Sequence, residues 1–176
     1  MIDGEAALLD IAKVAIAVTG FTGVVVTFRH PREALWKANE VEGLKLLLWH
    51  SLGAVLFGLL PSIAYLRWSD QSLVWLGGSA LLGAFLAWQL LSNIAAVQRA
   101  SARGYPPRAM KQMLIEYFPF TLVALYLQVQ NAISWRASFG YTLGCLWLLI
   151  AASRQFSIFL MDVKVDQGTP AKQPGK

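Results

Sequence analysis

Charge is what this sequence has least of: 14% of its 176 residues are Asp, Glu, Lys or Arg, against about 25% in soluble domains. With 56% hydrophobic residues, the composition suits lipid as the solvent rather than water. Cysteine is nearly absent as well. The single Cys145 lies in an apolar run and cannot form an internal disulfide. Histidine occurs twice, at His30 and His50, and there is no HExxH, no CxxC and no glycine loop that would cradle a phosphate. Metal hydrolysis, thiol redox and nucleotide chemistry therefore lack their parts. Haem held between the two histidines is not expected, because His30 belongs to a proline-containing loop and His50 to an apolar segment. No metal, no cofactor and no enzymatic activity are expected. The opening MIDGEAALLD is acidic where a cleavable signal peptide is basic, so none is expected.

What is present is a succession of apolar segments. A helix that crosses a bilayer needs about 20 mostly apolar residues. The sequence supplies five such spans, over about 6–28, 44–65, 73–97, 113–133 and 139–161, followed by a polar, proline-containing tail over 162–176 that is expected to be disordered. The predicted fold is all-α, one integral-membrane bundle of five transmembrane helices over 1–161. The central stretch is Leu44 to Tyr65, apolar except for Lys45 at its start and His50 inside it, with Pro61 near its end. Pro61 removes one backbone hydrogen bond and is expected to bend the helix.

Small residues recur at four-residue spacing, the pattern that lets membrane helices approach closely. They are Ala15, Thr19 and Gly23 in the first span, Ala54 and Gly58 in the second, Ser79, Gly83 and Ala87 in the third, and the GxxxG pair Gly140 and Gly144 in the fifth. A homo-oligomer joined through such faces is expected. The fourth span is the least regular, since Glu116 and Pro119 interrupt its start and Gln128, Gln130 and Asn131 crowd its end.

The net charge of +5 and pI near 9.6 reflect basic residues gathered in short loops, which orient a membrane protein and do not argue for nucleic acid. The first loop holds Arg29, Arg32 and Lys37, the third Arg99, Arg103, Arg108 and Lys111, and the tail Lys164, Lys172 and Lys176. The opposite side has Arg67 and Arg136. By the positive-inside rule the N-terminus lies outside and the C-terminus in the cytoplasm.

Two stretches, Gly20-Phe21-Thr22-Gly23-Val24-Val25-Val26 followed by basic residues and Ser51-Leu52-Gly53-Ala54-Val55-Leu56-Phe57-Gly58-Leu59-Leu60-Pro61, resemble a group of small, uncharacterised bacterial multi-pass membrane proteins. The resemblance covers the first third of the chain. It implies a helical bundle in the bacterial inner membrane and brings no activity or site residue with it. His50 stands where that group has an acidic residue or serine before the Ser-Leu-Gly run.

At 1.5 Å per residue from the cytoplasmic end of each span, His50 lies about 9 Å deep, Arg154 about 10 Å and Asn93 about 6 Å, with Glu116 close to the same boundary. Polar and ionisable groups at such depth face the bundle interior or a water-filled cavity. His50, Asn93, Glu116 and Arg154 are therefore expected to converge in a polar site facing the cytoplasm, with Arg154 offsetting Glu116 and His50 able to change charge near neutral pH. The same residues also fit a purely structural role, as an ion pair that sets helix register. Asp10 and Lys13, three apart in the first span, form a secondary intramembrane pair. Two functions follow from different classes: an oligomeric channel or transport-type protein built on the polar site, or an accessory membrane subunit whose basic loops dock a partner or anionic lipid.

Overall fold

The computed structural model describes residues 2–29, 38–102 and 117–168, all of them helical or in short connections between helices. Helix α1 is Glu5–Arg29, α2 Ala38–Arg67, α3 Gln71–Ala102 and α4 Phe118–Gln130. A π-helical turn, Asn131–Trp135, extends α4, and α5 is Ser138–Gly168. Four of these helices, α1, α2, α3 and α5, are long and apolar enough to cross a membrane.

The connections follow local chemistry. Asp70 accepts the amide hydrogen of Ser72 at 2.9 Å, satisfying one of the donors a helix start leaves open and fixing where α3 begins. At the other short connection Arg136 takes a left-handed conformation at φ 46°, which is uncommon for a residue with a side chain. Its amide donates to the Asn131 carbonyl at 2.8 Å, and the Asn131 side-chain oxygen accepts from Ala137 at 3.1 Å. These two bonds hold the tight return into α5. That helix continues past Asp162 to Gly168, where the sequence predicts the start of a disordered tail. No proline or glycine interrupts 162–167, so the helical ladder has no reason to stop before Gly168.

Helix α5 is the centre of the bundle and packs on all four others, most extensively on α2. Helix α1 lies against α2 and α5, and α4 against α3 and α5. Pairings across the interfaces give the directions. Gly58 of α2 sits against Leu8 and Ala12 of α1, Gly4 lies against Ser138, and Trp75 packs on Tyr141. The starts of α1, α3 and α5 thus share one end of the bundle with the finish of α2, and sequential helices run antiparallel. Exposed Trp68 and Trp135 stand at that end, as an interfacial aromatic belt would require.

Lipid is as apolar as leucine, so membrane helices associate through close packing and interhelical hydrogen bonds rather than by escape from water. Each expected small-residue face has a different fate. Gly58 admits the backbone carbonyl of Leu8, 2.9 Å from where a side-chain carbon would stand. Ser79 and Gly83 face α4. In α1 the stripe is packed at Ala15, whereas Gly23, and Gly20 beside the stripe, have nothing within 4 Å among the described residues. Gly140 and Gly144 do not bring two helix backbones together. Their missing side chains leave room for the amides of Asn131 and Gln128 from the preceding helical segment.

Candidate functional site

Midway along α2 the carbonyl of Leu46 lies within 2.6 Å of His50 Nδ1. A carbonyl oxygen only accepts, so Nδ1 carries a hydrogen and donates it. The other ring nitrogen, Nε2, lies 2.7 Å from the Tyr117 hydroxyl, 67 positions away at the start of α4. The two rings meet edge to face at 5.5 Å. His50 is 1% exposed. The Tyr117 hydroxyl is also 3.5 Å from Gln89 Oε1 on α3, and Asn93, one turn further along the same helix face, bears on the same hydroxyl. Gln89 and Asn93 are both buried, and the amide nitrogens Gln89 Nε2 and Asn93 Nδ2 have no hydrogen-bond partner among the described residues.

Two proton arrangements are compatible with this geometry. With His50 neutral, Nε2 accepts the Tyr117 hydrogen; a half-turn of the Gln89 and Asn93 amides then lets their nitrogens donate to the phenolic oxygen and gives both a partner. With a proton added at Nε2, His50 donates to Tyr117 and the hydroxyl turns to donate to the Gln89 oxygen, the arrangement its 3.5 Å contact describes. The direction of the hydrogen bond at the Tyr117 hydroxyl therefore depends on which neighbour accepts from it, His50 on α2 or Gln89 on α3.

Of the four residues expected to converge, His50 and Asn93 meet, and they do so through Tyr117. Arg154 lies on the far side of that tyrosine, in a groove of about 320 Å³ between α4 and α5 lined by Tyr117, Phe120, Trp147, Ile150, Ala151, Arg154 and Gln155. Glu116 falls outside the described residues. Asp10 and Lys13 pair at 2.9 Å within α1, with both side chains 72% exposed; they belong to the opposite end of the bundle from His50. Among the described residues no three His, Cys, Asp or Glu side chains gather as a metal site would require.

Sequence reasoning missed Tyr117 and Gln89. A tyrosine in an apolar span reads as packing, and the one signal was its position next to Glu116 at the start of an irregular span. Gln89 precedes Asn93 by four residues and so shares its helix face. A second network near the other end was also missed. Asn131 Nδ2 donates to Ser79 Oγ at 2.7 Å, Gln128 Nε2 to the Gly140 carbonyl at 2.8 Å, and the Tyr141 hydroxyl to the Phe57 carbonyl at 2.7 Å. It ties α3, α4, α5 and α2 together with uncharged amide and hydroxyl groups. No protein-family model, curated protein or solved structure matches the chain.

Proposed function

We propose that this is a transport-type protein of the bacterial inner membrane whose working site is the His50–Tyr117–Gln89–Asn93 network, with the proton as the species it takes up and passes on. The observation that carries this reading is the 2.7 Å contact between His50 Nε2 and the Tyr117 hydroxyl, because it makes one imidazole proton the switch for bonds among three helices. Ionisable groups buried at membrane depth are costly, and they mark pathways and proton relays. In this reading the π turn completes α4 as a fifth span: 13 α-helical and 5 π-helical residues reach roughly 27 Å at 1.5 Å per residue, close to the roughly 30 Å hydrocarbon core. The N-terminus is outside, the C-terminus is cytoplasmic, and the site faces the cytoplasmic half. A pathway in so small a bundle lies between subunits, with the open Gly20 and Gly23 face of α1 as a contact surface.

The test is proton flux into liposomes that carry the purified protein and an internal pH-sensitive dye. Under an imposed pH gradient the protein is expected to accelerate equilibration. His50→Ala and Tyr117→Phe should each remove that acceleration while leaving the size-exclusion profile and helix content unchanged. Equilibration no faster than in empty liposomes, or flux indifferent to both substitutions, would overturn the proposal and leave the accessory-subunit role, to be sought by co-purification.

A further inference from the structure

We propose that a second copy of this chain, threaded in the same orientation, docks along the outward face of α1, where Asp10 of each copy pairs with Lys13 of the other. This rests on the proton reading only for the need of a subunit contact. It is tested by association alone, so liposomes silent for proton flux leave it standing.

Spacing lays out the face. Asp10, Lys13, Ala17, Gly20, Val24 and Thr27 are all exposed and follow one another in alternating steps of three and four. That repeat keeps one seam of a helix against a partner helix along its length. On the reverse side of α1, Leu8, Ala12, Ala15 and Thr22 are buried in the bundle. Ala17 and Gly20 lie mid-seam and allow a second helix to approach closely.

The charges call for a cover. Gly58 of α2 faces the Leu8 carbonyl and Ala12, which puts Asp10 level with Gly58, nine residues before Arg67 and about 14 Å from that end of α2 at 1.5 Å per residue. This depth is nearly half of a hydrocarbon core roughly 30 Å thick. Yet the Asp10 and Lys13 side chains, 2.9 Å apart, are both 72% exposed. Charged groups at such depth normally face a bundle interior or a water-filled cavity, whereas this pair points away from its own bundle.

Chain length keeps the stretches outside the described residues off this level. Residues 30–37 leave Arg29 and return to Ala38, each about 30 Å along the bundle from Asp10, and eight residues tied at both ends advance about 14 Å. Residues 169–176 start about 36 Å away and extend at most about 29 Å. Residues 103–116 would need about 40 Å from Ala102, about 12 Å back to Tyr117 and a crossing to α1, and fourteen residues extend at most about 50 Å.

Charge complementarity selects a second copy. Two chains threaded alike meet about a two-fold axis along the membrane normal, so each seam residue faces its own counterpart. Asp10 then approaches the partner's Asp10, and the lysines one turn deeper offset that repulsion in a ring of two carboxylates and two ammoniums with no net charge. Lys13 Nζ donates one hydrogen to Oδ1 of its own Asp10. An ammonium has three donors and a carboxylate two oxygens, so each group can bond within its helix and across the seam at once.

The experiment uses full-length chains in the membranes of expressing cells. Under a mild oxidant Ala17→Cys, in the seam, should form a disulfide dimer, and Leu56→Cys, 59% exposed on α2, should stay monomeric; buried Cys145 keeps the parent a blank. Asp10→Lys gives a seam with two lysines and Lys13→Asp one with two aspartates. Each alone should associate about tenfold more weakly than the parent, because like charges set against each other across an interface repel strongly. Co-expressed with different tags, the two variants should pair with each other as the parent does. An ion pair that matters only within its own helix predicts no such rescue, since both variants have lost it. Ala17→Cys that stays monomeric, or charge variants that pair no better with each other than with themselves, would overturn the proposal. So would a disulfide adduct whose mass is not twice that of the chain, which would give the face to a different protein. Should the charge variants fail to insert, Ala17→Cys alone decides.

Discussion

The hydroxyl of Tyr141 stands in for the amide hydrogen that Pro61 lacks. In a regular α-helix the Phe57 carbonyl would accept from the backbone nitrogen of residue 61, and proline has no hydrogen there. Tyr141 reaches across from α5 and donates to that carbonyl at 2.7 Å. An unsatisfied carbonyl in lipid costs several kcal/mol, so the proline and the tyrosine form a unit shared by two helices. Membrane helices tolerate proline when a neighbouring helix supplies the missing donor, and here α2 runs on through Pro61 to Arg67.

Tyr141→Phe should therefore destabilise the bundle by about 0.6 to 1.7 kcal/mol, the range measured for hydrogen bonds between membrane helices. In a Pro61→Ala background the helix regains its own donor at position 61, and the same substitution should cost less. A double-mutant cycle on unfolding in mixed micelles measures the difference. Equal costs in the two backgrounds would show that Tyr141 acts through packing alone.

Glycines at two places on the bundle should respond in opposite ways. A side-chain carbon on Gly144 would stand 2.8 Å from Leu82 Cδ2 and 2.9 Å from Gln128 Cδ. Gly144→Ala should then lower stability by about 1 to 3 kcal/mol, the usual cost of overpacking. A carbon added at Gly77 meets nothing within 4 Å among the described residues, and Gly77→Ala should be neutral or stabilising by up to about 1 kcal/mol through helix propensity. Thermal unfolding of the two variants in one detergent compares them directly.

Much of this architecture was readable in advance, and the part that was not has one physical cause. Hydropathy marks the apolar part of α2, expected over 44–65 and found over Gly43–Arg67 in a helix that begins at Ala38, because a bilayer imposes length on a span. The pairing of Asp10 with Lys13 follows from helical spacing alone. Both are properties of a single segment. Gln128 and Asn131 are different. They look like polar interruptions of an irregular span until Gly140 and Gly144 are known to face them, and spacing within one helix does not say which face of another it meets. Tyr117 was unreadable for the same reason: its hydroxyl acquires a role from His50, 67 positions away. Of the expected site, His50 and Asn93 were legible because a polar group deep in a span is costly in any fold. The hub between them was not.

The tautomer of His50 is the most direct test of the polar network. Because Leu46 offers only an acceptor, neutral His50 should carry its hydrogen on Nδ1, the less common form for a free imidazole. Nitrogen-15 spectra of protein labelled at its two histidines, assigned with a His30→Ala variant, distinguish protonated from bare ring nitrogens. A hydrogen on Nε2 with a bare Nδ1 would contradict the contact with Leu46. In Tyr117→Phe the Nε2 signal should shift, as its partner is gone, and stability should fall by about 1 kcal/mol. Tyr126→Phe, at an exposed hydroxyl that accepts from Gln130 at 3.2 Å, should stay within about 0.5 kcal/mol of the parent.

Threading can be read with thiols, because the one native cysteine, Cys145, is buried. It should resist a membrane-impermeant maleimide in intact cells, so the parent protein serves as its own blank. Ser69→Cys places a thiol in the exposed connection between α2 and α3, and Gln98→Cys places one on an exposed position near the opposite end of α3. If the N-terminus is outside and the basic loops are cytoplasmic, position 69 reacts from outside the cell and position 98 only after permeabilisation. The reverse pattern would invert the topology and move the His50 network to the outer half of the membrane. Labelling of both sites from outside would mean that α3, for all its length and apolarity, does not cross.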